Sequence, residues 1–171
     1  DILLMDTPGI SGLEFSSEDE APTRNMLTTH PPDQIIQCID AGHLHRSLTL
    51  TAQLIELNIP MVVCLTMVDE AQGRGIMVDA ERLSQELGIP VISTCPPDGR
   101  GIPKLISTMG QARPVKQHPA SPKNGQKWAQ DVASKCTRNS DLEPKLSSWD
   151  SLDALAIHPL GAWVFLILMT I

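Results

Sequence analysis

Four short apolar runs, at residues 2–5, 34–39, 61–65 and 91–94, alternate with helical patterns and constrain the fold more than any other feature. Leu44, Leu48, Leu50, Leu54, Ile55 and Leu57 recur at helical spacing over 44–57, and further helical patterns cover 79–87 and 102–112. Asp79 stands where an N-cap belongs, and Gly88 where a helix stops. Pro60 and Pro90 each precede a run directly, a place where a missing N–H costs a strand little. Strands of this length alternating with helices predict βαβ units, hence an α/β fold with a parallel sheet.

In such sheets ligands gather at the carboxyl ends of the strands, and three of these ends carry chemistry. Asp6-Thr7-Pro8-Gly9 follows the first run. A carboxylate there can hold a hydrated Mg²⁺, and a glycine three residues on lets its N–H approach a γ-phosphate; the same four residues also make a generic turn. Thr66-Met67-Val68-Asp69 follows the third run. A carboxylate at that point can accept from N1–H and the exocyclic amine of guanine, or it can simply cap the next turn. Ser93-Thr94-Cys95-Pro96 closes the fourth, ahead of Gly99-Arg100-Gly101-Ile102, where a loop can press against a base ring.

Composition narrows the class. The chain has 171 residues, 42% of them apolar, and a formal charge of −7, which excludes wholesale disorder and speaks against a nucleic-acid binder. Its four cysteines, Cys38, Cys64, Cys95 and Cys136, are widely spaced, which excludes a disulfide miniprotein. Cys38 and Cys64 fall inside predicted strands and read as small buried hydrophobes. Met5, Met61 and Met67 read as core or strand-end packing. His43 and His45 read as solvated residues entering a helix rather than as a metal pair.

The charge is unevenly placed. Residues 1–40 hold eight acids and one base, whereas 113–149 hold seven bases and three acids. The twelve residues 160–171 have only Thr170 as a polar member. A span needs about 20 apolar residues, so this tail reads as a buried helix, an interfacial anchor or the opening turns of a span. A basic stretch before it favours the span. The resulting division is 1–112, an α/β portion; 113–152, a basic connector with one short helix near 127–136; and 153–171, the start of a membrane segment. With a strand beginning at residue 2, both ends read as those of an excerpt.

The three strand-end motifs keep the order found in small GTPases. Ile35-Ile-Gln-Cys-Ile-Asp40-Ala-Gly-His-Leu-His-Arg46 through Pro60-Met-Val-Val-Cys-Leu-Thr66-Met-Val-Asp69-Glu70-Ala71 closely resembles the G domain of the ferrous iron transporter B (FeoB) family. The similarity continues through Gly75-Ile76, Asp79 to Pro90 and Gly99-Arg100-Gly101-Ile102. It resumes at His158-Pro159-Leu160-Gly161, which is similar to the lead-in to that family's first span.

The resemblance implies a partial P-loop GTPase fold whose sheet lacks its first strands and the P-loop. It gives Asp6 a water-mediated Mg²⁺ role, Gly9 the γ-phosphate contact and Asp69 the guanine contact. Thr7, Pro8, Thr66, Met67, Val68, Thr94, Cys95 and Pro96 complete the GTP/GDP-binding set, and residues 17–29 become the second switch. For the complete protein it implies Fe²⁺ as cargo, a bacterial inner membrane with this portion on the cytoplasmic side, and small iron-transport accessory proteins as partners.

The chain also departs from the family's pattern. Thr66 stands where the guanine motif starts with Asn, Cys95-Pro96 where the loop reads Ser-Ala, and Ile10 where many GTPases place a water-orienting glutamine. No Gly-Lys pair occurs anywhere, so no Gly-x-x-x-x-Gly-Lys-Ser/Thr loop is present. The chain alone is therefore expected to bind GTP weakly and to leave two strands unpaired with apolar edges exposed. Two alternatives compete: a soluble ribosome-assembly-type GTPase, and a degenerate non-hydrolysing module associated with membranes.

Overall fold

The computed structural model describes residues 2–10, 12–13, 21–112, 114 and 125–139. The predicted membrane segment 153–171 and its apolar tail therefore lie outside the described residues, as does most of the connector. Among the described residues no helix is long and apolar enough to cross a membrane.

Three parallel strands form the sheet in the order β1 (Ile35–Asp40), β2 (Met61–Thr66), β4 (Val91–Ser93). Ile35 to Asp40 lie opposite Met61 to Thr66 in strict register, and Val63 to Leu65 lie opposite Val91 to Ser93. The crossovers are helical. α2 (Leu44–Glu56) joins β1 to β2, while α3 (Val68–Gly73), the short β3 (Ile76–Val78) and α4 (Ala80–Leu87) join β2 to β4. α1 (Ala21–Thr29) precedes the sheet, and α5 (Ile102–Met109) follows it.

β2 is the central strand because both of its faces are covered: Met61, Val62, Val63, Cys64 and Leu65 are all buried. A continuous apolar run is what a parallel strand between two helical layers requires. On one face Met61, Val63 and Leu65 join a large core with Leu44, Leu48 and Ile55 of α2 and Leu83 and Leu87 of α4. On the other face the cover is thin. Among the described residues Val62 and Ile92 cluster with Ala112 and Leu105, and no residue of α5 is fully buried.

The caps follow the sequence closely. The Asp79 carboxylate accepts from the Arg82 N–H at 2.9 Å. Gly88, at φ 69°, closes α4 with its N–H on the Ser84 carbonyl. Only glycine takes this left-handed turn without a steric penalty.

Three parts of the patterning turn out differently. The strand expected at 2–5 does not form: Ile2, Leu3, Leu4 and Met5 have no regular structure and are 61–87% exposed. β1 is paired with β2 on one edge and with no described strand on the other, so the run has no ladder to join. Cys38 is likewise exposed rather than buried, because it lies on the thinly covered face at the outermost strand. Met67, half exposed at the end of β2, is also not core packing.

The short helix of the connector is α6 (Gly125–Cys136), followed by β5 (Thr137–Asn139). Both are integral to the α/β body. Ala129, Val132, Ala133 and Cys136 enter the large core, with α6 lying against α2 and α4. β5 pairs antiparallel with β3, placing Met77 opposite Arg138, and the Asp79 N–H donates to the Cys136 carbonyl.

Candidate functional site

The carboxyl ends of β2 and β4 bring two of the three motifs side by side. The Thr94 N–H donates to the Leu65 carbonyl at 2.8 Å, so the turn after Thr66 and the loop after Thr94 issue from bonded neighbours. The Thr66 hydroxyl donates to the Ile39 carbonyl across the β1–β2 seam at 3.1 Å. Met67 then takes a left-handed conformation, φ 54°, which is unusual for a side chain of its size. That kink starts α3 one residue later and leaves Asp69 exposed in its first turn.

The loop after β4 is tightly folded on itself. The Cys95 N–H donates to the Arg100 carbonyl at 3.0 Å, and Pro96 to Asp98 form a single 3₁₀ turn closed by the Gly99 N–H on the Pro96 carbonyl. Arg100 grips the Asp98 carboxylate at 2.7 Å, and this contact holds the Asp98 carboxyl below its ordinary range. Gly101, at φ 80°, lies so close to the Ser93 carbonyl that a Cβ would collide with it. With Thr94 and Cys95 donating internally and prolines at 96 and 97, no backbone N–H from 94 to 97 is free for a ligand. The sequence announced the missing donors at the prolines. Those of Thr94 and Cys95 depend on how the loop bends back to Arg100.

The Asp6-Thr7-Pro8-Gly9 segment approaches from the uncovered side of β1. Thr23 of α1 donates its hydroxyl to the Pro8 carbonyl at 3.1 Å, and the Cys38 thiol, held protonated chiefly by its hydrogen bond to Cys64 and by burial, feels Asp6 only weakly. Asp6 and Gly9 are exposed, with open space around Gly9. Residues 21–29 of the expected second switch are helix α1, while 17–20 lie outside the described residues.

Asp40, at the end of β1 opposite Thr66, caps the short 3₁₀ turn Ala41–His43. Its carboxylate accepts from the Gly42 N–H at 2.7 Å and meets His43 Nδ1 at 2.8 Å. The His43 contact, with help from the Gly42 N–H, holds its carboxyl below the ordinary range. The signal was present in the Asp-x-Gly spacing, which favours a turn in which the carboxylate accepts from the N–H two residues on.

Two cavities open elsewhere on the surface. One of about 340 Å³ lies between α4 and β4, lined by Glu81, Ser84, Gln85, Val91 and Lys104. The other, of about 170 Å³, lies beside β1, lined by Ile10, Gln37, Cys38, Arg46, Ser47 and Leu50. Among the described residues no cluster of three or more His, Cys, Asp and Glu side chains could hold a metal ion.

A parallel sheet crossed by helices, with an Asp-bearing turn at the end of the central strand and a Gly-bracketed loop at the next, defines the G-domain class of α/β fold. The solved structures agree. The cytosolic domain of Legionella pneumophila FeoB superposes with a TM-score of 0.68 at 26% identity, over 78% of this chain and 77% of that one. The GMPPNP form of the Thermotoga maritima FeoB cytosolic domain gives 0.68 over 78% and 79%, at an 18% identity that speaks for the fold alone.

The family is shown by sequence. The profile described as ferrous iron transport protein B matches residues 1–109, and this chain belongs to that family. The Fe(2+) transporter FeoB of Legionella pneumophila (strain Paris) is 43% identical over 112 residues, 63% of this chain and 15% of that protein. The chain spans 13–15% of the length of the curated relatives it matches. Membership sets aside the ribosome-assembly-type alternative.

Proposed function

We propose that this chain is part of the cytosolic guanine-nucleotide-binding region of a bacterial Fe²⁺ transporter, with Asp69 as the base-selecting residue. The observation that carries the reading is the placement of Asp69: an exposed carboxylate in the first turn of α3, one kinked residue beyond the end of the buried central strand. There its two oxygens can accept from N1–H and the 2-amino group of guanine, a pattern that adenine cannot offer. Asp6 would face a hydrated Mg²⁺ and Gly9 a γ-phosphate, with Thr7 and Pro8 shaping that turn. Such a metal keeps most of its waters and takes its remaining oxygens from phosphate, so a single exposed carboxylate is a fitting donor.

In the complete transporter, nucleotide binding and hydrolysis would gate passage of Fe²⁺ through a membrane portion, with residues 153–171 as its beginning. This part would lie on the cytoplasmic side of the inner membrane, within reach of small iron-transport accessory proteins. The loop after β4 supplies shape rather than hydrogen bonds, since its donors from 94 to 97 are engaged or absent. That observation favours the second reading, a low-affinity non-hydrolysing module.

The test is a base switch. In a chain joined at its N-terminus to a phosphate-binding loop, Asp69→Asn replaces an acceptor by a donor. It should lower GDP affinity by roughly 10- to 100-fold, the few kcal/mol of a lost charged bidentate contact, and gain affinity for xanthosine diphosphate. Equal binding of GDP and ADP by the joined chain with Asp69 intact would sink the assignment.

A further inference from the structure

We propose that Cys38 and Cys64 form an oxidisable dithiol, a modification site at which a hydroperoxide closes a disulfide between β1 and β2. The two cysteines lie directly opposite each other in the register of the parallel pair. Neighbouring strands run about 4.8 Å apart, which falls within the range of roughly 4.4–6.8 Å between Cα atoms that a disulfide spans. They also point to the same face of the sheet, the thinly covered one, so the exposure is asymmetric: Cys38 is open to solvent while Cys64 is buried behind it.

The surroundings assign the two sulfurs different tasks. The Cys38 thiol hydrogen-bonds to Cys64, which raises its own pKa and lowers that of Cys64 to about 6. The Thr94 hydroxyl, 3.2 Å from the Cys64 sulfur, favours the thiolate further. Exposure makes Cys38 the sulfur that an oxidant reaches, and Cys64, the more acidic of the two, is the base that takes its proton and then closes the bond. Cys95, which contacts Asp98 at 3.6 Å, and Cys136, buried between α6 and the core, have no such partner in register.

As the Cys38 sulfur attacks the hydroperoxide its proton passes to the Cys64 thiolate; an S–O bond forms, the O–O bond breaks, and the departing alkoxide takes a proton from water. Cys64 gives its proton to solvent and attacks the Cys38 sulfur; the S–S bond forms, the S–O bond breaks and hydroxide leaves. The two sulfurs lose two electrons and the peroxide gains them. The products are a disulfide, one alcohol and one water; with hydrogen peroxide both oxygens end as water. The reaction removes the Cys64–Thr94 contact at the root of the loop after β4.

The experiment treats the full 171-residue chain with hydrogen peroxide at neutral pH, alkylates the remaining thiols and maps tryptic peptides. The expected result is loss of two of the four thiols, a cross-link between peptides 25–46 and 47–74, and reversal by dithiothreitol. Cys136→Ala, at a buried position where the smaller side chain fits, should react as the unmodified chain does. Cys38→Ser, at an exposed position that tolerates the change, should consume peroxide at least 10-fold more slowly and give no cross-link. Sulfinic acid at Cys38 with Cys64 still free, a cross-link between two chains, or four thiols reacting alike would each overturn the proposal.

Discussion

Thr66 Oγ1 donates to the carbonyl of Ile39 at 3.1 Å, which commits the hydroxyl at the head of the Thr66–Asp69 turn to the neighbouring strand. A residue standing where the family's pattern has Asn therefore holds β1 to β2 at the point where the site begins. Thr66→Val keeps the shape and removes the donor. It should lower stability by about 1 kcal/mol, the usual net worth of one such bond, read as a lower urea midpoint with an unchanged slope. No shift in the midpoint would mean that the hydroxyl does not hold the seam.

Gly101 and Gly99 bracket the loop after β4, both at positive φ, yet they differ in surroundings. A Cβ on Gly101 meets the Ser93 carbonyl, while one on Gly99 meets open space. Gly99→Ala should cost only the left-handed penalty of about 1–2 kcal/mol. Gly101→Ala adds a backbone collision and should cost clearly more, together with a displaced loop. Thermal unfolding of the pair decides it: equal losses would show that the close approach does not matter.

Much of this architecture could be read before any coordinates, and the reasons are local. β2 announces itself by five consecutive apolar residues, and α4 by Asp79 and Gly88 at its ends. The run at 2–5 is just as apolar, but a strand exists only with a partner, and apolar pattern does not say whether a partner is there. Cys38 could not be placed either, because its exposure depends on how little of the second face α5 covers. In α6 the signal was present and overlooked. Ala129, Val132, Ala133 and Cys136 follow the i, i+3, i+4, i+7 spacing of a buried stripe, hidden among Lys, Gln and Ser. At the site, Asp69 and the prolines were legible, whereas the internal bonds of Thr94 and Cys95 arise from loop geometry.

The exposed run offers its own check. Leu3 is 87% exposed and Leu4 77%. Replacing both by Ser should leave the unfolding midpoint within about 0.5 kcal/mol of the original, as surface changes do, while reducing self-association seen by light scattering. A loss of more than about 1 kcal/mol would mean that these side chains are packed after all.

Acid should act on Asp40. Its folded pKa lies below the ordinary carboxylate value of 3.8, because His43 and the Gly42 N–H stabilise the charged form. A depressed folded pKa gives stability that is fully present above the ordinary value and is lost as pH falls through the folded one. The gap in stability between the unmodified chain and Asp40→Asn should therefore be constant near neutrality and close progressively below about pH 4. A gap that stays constant into strong acid would mean that the carboxylate has no preference for the folded state.

α6, which the sequence places in a basic connector, is packed by the fold into the core. Val132 is buried against the same cluster as Leu48 and Ile55 of α2, flanked by Ala129, Ala133 and Cys136. The next three residues extend the docking, as β5 completes a two-stranded ladder with β3 and Lys135 reaches Glu86 of α4 at 3.0 Å. The ion pair is exposed and contributes little, so the apolar stripe carries the attachment. Val132→Ala removes two methyl groups from a packed site and should cost about 2 kcal/mol, whereas Lys135→Ala should cost under about 1 kcal/mol. If α6 were only a tether, both changes would be neutral to urea unfolding of the α/β body. A large loss at Val132 with a small one at Lys135 would instead mark α6 as part of one cooperative unit with α2 and α4.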